Sequence, residues 1–186
     1  MLNVKYIIQQ DDEGRVFPAV NEERNGNAWF VEKIKPVAHA NEEIKALEGL
    51  NSINTAVVNT ETYPRITKHT YALDSLASIA LVDYRPDFLE YKTSNNNDGF
   101  VVFSEMHYPK GWYASIDGIA TEHLKVNYAL RGMRVPAGNH TISFSFKPEV
   151  VETGSKIALG SNIALGLAIL VGLLFSFWKP KRKSKA

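Results

Sequence analysis

From Ile157 to Trp178 the sequence runs 22 residues without a charged side chain, and Lys179, Lys181, Arg182, Lys183 and Lys185 crowd the eight residues that follow. No other stretch restricts the chain so strongly. As a helix rising ~1.5 Å per residue it would span about 33 Å, close to a hydrocarbon core of ~30 Å. A buried helix of a soluble protein rarely stays uncharged on every face for this length. Trp178 beside Lys179 fits an interfacial aromatic backed by a positive flank. The residues therefore predict one transmembrane helix over 157–178, the lipid bilayer as partner, and a basic tail over 179–186.

Positive flanks stay on the cytoplasmic side, which predicts a cytoplasmic C-terminus and an extracytoplasmic bulk. The start of the chain creates a conflict. Met1 to Ile8 is a short apolar run that meets Gln9-Gln10-Asp11-Asp12-Glu13, without the longer core and small-residue cleavage site of a signal peptide. Two arrangements resolve it: the chain is the C-terminal piece of a longer membrane protein, or it is tail-anchored with its domain in the cytoplasm. Gly160, Ala164, Ala168 and Gly172 recur every four residues. Such a stripe lets other transmembrane helices approach closely, although glycine and alanine are also common in membrane helices generally.

Composition narrows the chemistry. The 186 residues contain no cysteine, which excludes a disulfide scaffold, a thiolate metal site and a cysteine nucleophile. Net charge is +1, and outside the tail 16 basic side chains face 20 acidic ones, a net of −4. A broad basic surface for nucleic acid is excluded.

Residues 1–69 read as a small mixed α/β unit. Strands are expected over Asn3–Ile8, over Arg15–Val20 with Pro18 marking an edge, over Asn27–Ile34, and at Ala56-Val57-Val58. A helix is expected after Asn41 as N-cap, with Glu42 and Glu43 at its positive end, Ile44 and Leu47 on one face, and Gly49 as terminator. Residues 70–150 read as an extracytoplasmic antiparallel β-sandwich. Short strands are expected over Leu76–Tyr84, Phe88–Thr93, Phe100–Phe103, Trp112–Ile116, His123–Tyr128, Leu130–Val135 and His140–Phe146. Asp117-Gly118 is a strong hairpin signal, and Thr141 to Phe146 alternates with a strand's period of two. Lys147 to Lys156 reads as a connection. The fold class is mainly β (α+β): a sandwich preceded by the α/β unit and followed by one membrane helix.

No catalytic constellation emerges. His39, His69, His107, His123 and His140 show no metal-ligand spacing, and no nucleophile elbow, P-loop or dinucleotide glycine pattern is present. Glu105 lacks a second carboxylate to work with. No catalytic residue, metal or cofactor is assigned. Tyr108, Trp112 and Tyr113 cluster near a loop, where aromatic faces suit the C–H surfaces of sugar rings; with Asp117 and Arg131 they are the glycan-contact candidates. The competing reading makes Trp112 a core residue, Asp117 a turn residue, and Arg131 half of an ion pair.

Several segments occur in an order that resembles the C-terminal end of the YfhO family of bacterial multi-pass membrane proteins. They are Phe103-Ser104-Glu105-Met106-His107-Tyr108-Pro109-Lys110-Gly111-Trp112, Ile116-Asp117-Gly118, Asn127-Tyr128-Ala129-Leu130-Arg131-Gly132 and Val135-Pro136-Ala137-Gly138-Asn139-His140. Leu2 to Ile8, Gly26 to Val31 and the final helix with its tail also fit. The resemblance implies a bacterial inner-membrane location and a likeness to GT-C-type glycosyltransferases, which move a sugar from a polyprenyl-phosphate carrier to an envelope glycopolymer. In that class the catalytic carboxylate lies in an early extracytoplasmic loop, which has no counterpart here. The chain is thus expected to be an accessory fragment, inactive alone. The rival readings are a membrane-anchored carbohydrate-binding module and a tail-anchored interaction domain.

Overall fold

The computed structural model describes residues 1–72 and 74–177. It divides into two compact units, Met1–Phe146 and the segment from Lys147 onward. The first contains β1 (Tyr6–Gln10), β2 (Val16–Val20), β3 (Ala28–Val31), β4 (Lys33–Val37), α1 (Ala40–Lys45) and β5 (Thr55–Asn59). These are followed by β6 (Ser78–Arg85), β7 (Phe88–Asn95), β8 (Gly99–Met106), β9 (Trp112–Ile116), β10 (Ile119–Thr121), β11 (Leu124–Val126), β12 (Leu130–Val135) and β13 (Gly138–Phe146). The second unit is one helix, α2 (Glu149–Phe177).

The sandwich predicted for the middle of the chain is present. A five-stranded sheet, β10-β9-β13-β7-β6, faces a four-stranded sheet, β11-β12-β8-β3, and every pairing in both is antiparallel. Between them pack Leu89, Tyr91, Val101, Phe103, Ala114, Ile116, Met133, Val135, Ile142 and Phe144. Tyr91, Phe103 and Phe144 meet edge to face, with centroids 4.9 to 6.2 Å apart, the arrangement their ring quadrupoles favour.

Strand β8 explains why the fold has a third layer. Phe100-Val101-Val102-Phe103 is apolar at consecutive positions, so both of its faces need cover. Val101 and Phe103 enter the sandwich core, while Phe100 and Val102 join Trp29, Val31, Ile34, Ala56, Val58, Ile66, Tyr71, Leu124, Val126 and Leu130 in a second core. The cover on that side comes from β4 and β5, a parallel pair joined through α1, since parallel neighbours need a crossover. Asn127 fastens it: its N–H donates to the Val57 carbonyl at 2.9 Å and its Oδ1 accepts the Val57 N–H at 2.7 Å. Because β3 pairs with β8, hydrogen bonds cross the boundary expected between residues 69 and 70, and residues 1–146 cluster as one unit rather than two.

Other expectations are corrected. The N-cap of α1 is His39, with no side-chain cap bond; instead the Glu42 carboxylate turns back to accept the Ala38 N–H. The buried side chain of α1 is Glu43, and Ile44 is exposed. Glu43 can be buried because Tyr128 N–H donates to its Oε1 at 2.8 Å and Lys125 Nζ stands 3.5 Å from its Oε2, partners more than 80 residues away. The Lys147–Lys156 connection is mostly helical: Pro148 precedes the first residue of α2, Glu149 and Glu152 lie at the positive helix end, and Lys156 pairs with Glu152 at 2.7 Å. Each of these favours a helix start. The Asp117-Gly118 turn takes φ of +50° and +79°, as a two-residue primed turn requires.

Candidate functional site

Strand β9 points Trp112, Ala114 and Ile116 toward the sandwich core and Tyr113 and Ser115 outward, as the period of two demands. Trp112 sits at the end of that core, opposite Phe146, the last residue of β13. Its ring lies 5.2 Å from that of Phe146, which is in turn 6.3 Å from Tyr108. Beneath Trp112 lies Arg131. The period of two along β12 puts Arg131 on the same face as Met133 and Val135, inside the sandwich. It is 2% exposed. Its guanidinium stands 4.2 Å from the Trp112 centroid and 5.2 Å from that of Phe144, and Nε donates to the Met106 carbonyl at 3.0 Å. Among the described residues Arg131 forms no ion pair, contrary to the alternative in which it meets a carboxylate: its partners are two aromatic faces and a carbonyl, and Nη1 has none.

The five glycan-contact candidates do not form one site. Tyr108, Trp112, Tyr113 and Arg131 gather at one end of β9, whereas Asp117 lies past its other end. There Asp117 Oδ2 contacts His140 Nδ1 at 2.6 Å and Oδ1 accepts the Thr141 N–H at 2.8 Å. That hydrogen bonding holds the Asp117 carboxyl below its ordinary pKa and raises that of His140. Asp117 is occupied in stabilising its hairpin.

The structure adds residues that spacing does not reveal. A cavity of about 450 Å³ is lined by Tyr63, His107, Trp112, Tyr113, Glu122 and His123, among others. His107 follows β8 and His123 precedes β11, strands that flank β12 on either side, so their rings come within 5.2 Å. Burial, aided by His107 and the Arg131 charge, pushes the His123 imidazole down to about 4. Burial and the charges of Arg131 and Lys125 also lower His107. Both rings are therefore neutral at pH 7, and the Nε2 of His123 is buried without a partner. Across the Arg131 side, burial raises Glu105, with the guanidinium opposing it. Among the described residues no third His, Asp or Glu joins the two imidazoles to complete a metal set. The cavity thus offers aromatic faces beside neutral donors and acceptors.

The sequence matches the family described as Bacterial membrane protein YfhO over residues 32–158, more than two thirds of the chain. The chain belongs to the YfhO family. The matched YfhO region runs from β4 through every sandwich strand except β3 into the first turns of α2, and includes Tyr108, Trp112, Tyr113, Asp117 and Arg131. The β1–β2 hairpin and β3 lie outside it. No curated protein and no solved structure matches the chain. Membrane location follows from this YfhO membership together with α2, whose stretch Glu149–Ser176 has a mean hydropathy up to 2.2 and is unburied.

Gly160, Ala164, Ala168 and Gly172 all fall within α2, and a Cβ built on Gly160 or Gly172 would meet nothing within 4 Å. Trp178, Lys179, Lys181, Arg182, Lys183 and Lys185 lie outside the described residues.

Proposed function

We propose that this chain is the extracytoplasmic domain and final membrane helix of a YfhO-like protein of the bacterial inner membrane, accessory to sugar transfer from a polyprenyl-phosphate carrier to an envelope glycopolymer. In this reading the Trp112 cavity receives a segment of the glycan and performs no chemistry itself. The observation that carries it is the cavity's lining: Trp112, Tyr113 and Tyr63 supply apolar faces, while His107, His123, Thr121 and Glu122 supply hydrogen-bonding groups. A few placed polar groups in an aromatic-rich concavity suit a ring that is apolar on its faces and hydroxylated at its rim. Tyr108, on the same aromatic row, extends the contact. Arg131 acts from behind Trp112 as a positioning residue. The four small residues of α2 face other membrane helices, and the basic flank after Trp178 stays in the cytoplasm.

The test is a titration of the full chain in neutral detergent with neutral envelope oligosaccharides, followed by tryptophan fluorescence. Saturable quenching is expected, lost in Trp112→Phe, with no transfer product when a lipid-linked sugar donor is added. A flat titration would remove the glycan role, and a transfer product would overturn the accessory one.

A further inference from the structure

A second concave region surrounds Arg134 of β12, on the opposite face of that strand from Arg131. Two cavities meet at this residue. One of about 400 Å³ is lined by Tyr63, Arg65, Glu122 and Leu124 among others; the second, of about 250 Å³, is lined by Lys68, Tyr71, Asp98 and Pro136 among others. Arg134 lines both.

Three cations converge here from two segments, Arg65 and Lys68 from the connection between β5 and β6 and Arg134 from β12. None of the three takes part in an ion pair among the described residues. Arg134 Nη2 only donates to the Arg65 carbonyl at 3.3 Å, and Lys68 Nζ stands 4.7 Å from the Tyr71 ring centroid. Two carboxylates share the region. Asp98 is engaged, its Oδ1 accepting the Ala137 N–H at 3.0 Å, and Glu122 lines the far side of the larger cavity. The local balance is one net positive charge.

Tyr71 supplies the independent observation. The residue is 2% exposed and lines the smaller cavity, and its hydroxyl is buried without a hydrogen-bond partner among the described residues. Burial raises its pKa, with the adjacent Arg134 guanidinium opposing the rise, so the phenol remains a proton donor. A buried donor left unpaired is unfavourable, and the acceptor it lacks would arrive beside an unpaired guanidinium and an unpaired ammonium. All three line the smaller cavity, and a guanidinium, an ammonium and a hydroxyl together suit an oxyanion with several acceptor oxygens. A single negative charge matches the local balance.

We propose that Arg134, Lys68 and Tyr71 form a binding site for a phosphodiester group. The site is separate from the Trp112 cavity and does not depend on its role. Its natural source is either an anionic lipid headgroup or a diester in a soluble or polymeric molecule.

The experiment uses the full chain in phosphatidylcholine nanodiscs, titrated calorimetrically with sn-glycero-3-phosphoglycerol at low ionic strength. Saturable binding that weakens with added salt is expected. Arg134→Gln and Lys68→Gln should each weaken it about tenfold, the loss of a charge-assisted hydrogen bond. Tyr71→Phe should weaken it several-fold while leaving the unfolding temperature unchanged or raised, because it deletes a hydroxyl the free protein leaves unpaired. No binding at millimolar diester would overturn the site, as would Arg134→Gln binding as tightly as the parent chain. Phosphatidylglycerol in the nanodisc identifies the source. If it competes, in a manner abolished by Arg134→Gln, the source is lipid; unchanged diester affinity assigns a soluble or polymeric one.

Discussion

His123 holds an imidazole where a positive charge is costly, beside His107 and within the field of Arg131. Its folded-state pKa, about 4, lies well below the ordinary 6.5, so below that value the unfolded chain binds a proton that the folded chain refuses. Stability therefore falls as pH drops from about 6.5 to about 4, by at most ~1.4 kcal/mol per pH unit for this group. His107 shifts in the same direction. His140, raised by its contact with Asp117, has the opposite sign: its contribution is present at low pH and is lost as pH rises through its folded value. Thermal unfolding of the full chain in detergent should show a decline toward pH 4.5 that flattens in His123→Gln. An equally steep decline in that variant would refute the assignment. None of this is visible in the spacing of the histidines, because His107 and His123 meet only through the strand order β11-β12-β8.

Among the elements, β8 and β12 decide the architecture. The consecutive apolar run of β8 already implies burial on both faces, and so a layer on each side of its sheet. What fills the second side cannot be read from β8 itself. Gly132 in β12 shows how tight that layer is, since a Cβ there would stand 2.7 Å from Val126 Cγ1 and 2.8 Å from Phe100 Cε1. Gly132→Ala should cost about 1–3 kcal/mol by overpacking, read as a lowered unfolding temperature, whereas the same change at Gly154, where nothing lies within 4 Å, should not destabilise the chain. Equal effects at the two positions would contradict the packing described. The hairpin at Asp117-Gly118, the alternation of β13 and the strands at Val57 and Trp112 were all legible, because each rests on local backbone preference. The start and buried face of α1 were not. Its amphipathic pattern points to Ile44, but a fully buried Glu43 needs the Tyr128 N–H and Lys125, and no local pattern announces partners so distant in sequence.

At the scale of the whole molecule, the decisive question is the side of the membrane on which Met1–Phe146 lies. With five basic residues after Trp178, the positive-inside rule predicts an extracytoplasmic unit, as we propose. Protease added to intact spheroplasts should digest it and leave a membrane-protected fragment containing α2; full protection of residues 1–146 would instead favour the tail-anchored arrangement. The amino-acid sequence by itself determined the membrane helix, the mainly β class and the membership of the YfhO family. Each of these is written in contiguous stretches: unbroken apolar length, alternation of period two, ordered short motifs. Only the tertiary structure decided that β3 joins the sandwich, that Asp117 stands apart from Trp112, and that Arg131 rests on aromatic rings rather than on a carboxylate. It alone brought His107 to His123 and left the Tyr71 hydroxyl without a partner. Those outcomes depend on strand order and on which distant groups satisfy a buried charge or donor, and such pairings are fixed only when the layers close on one another.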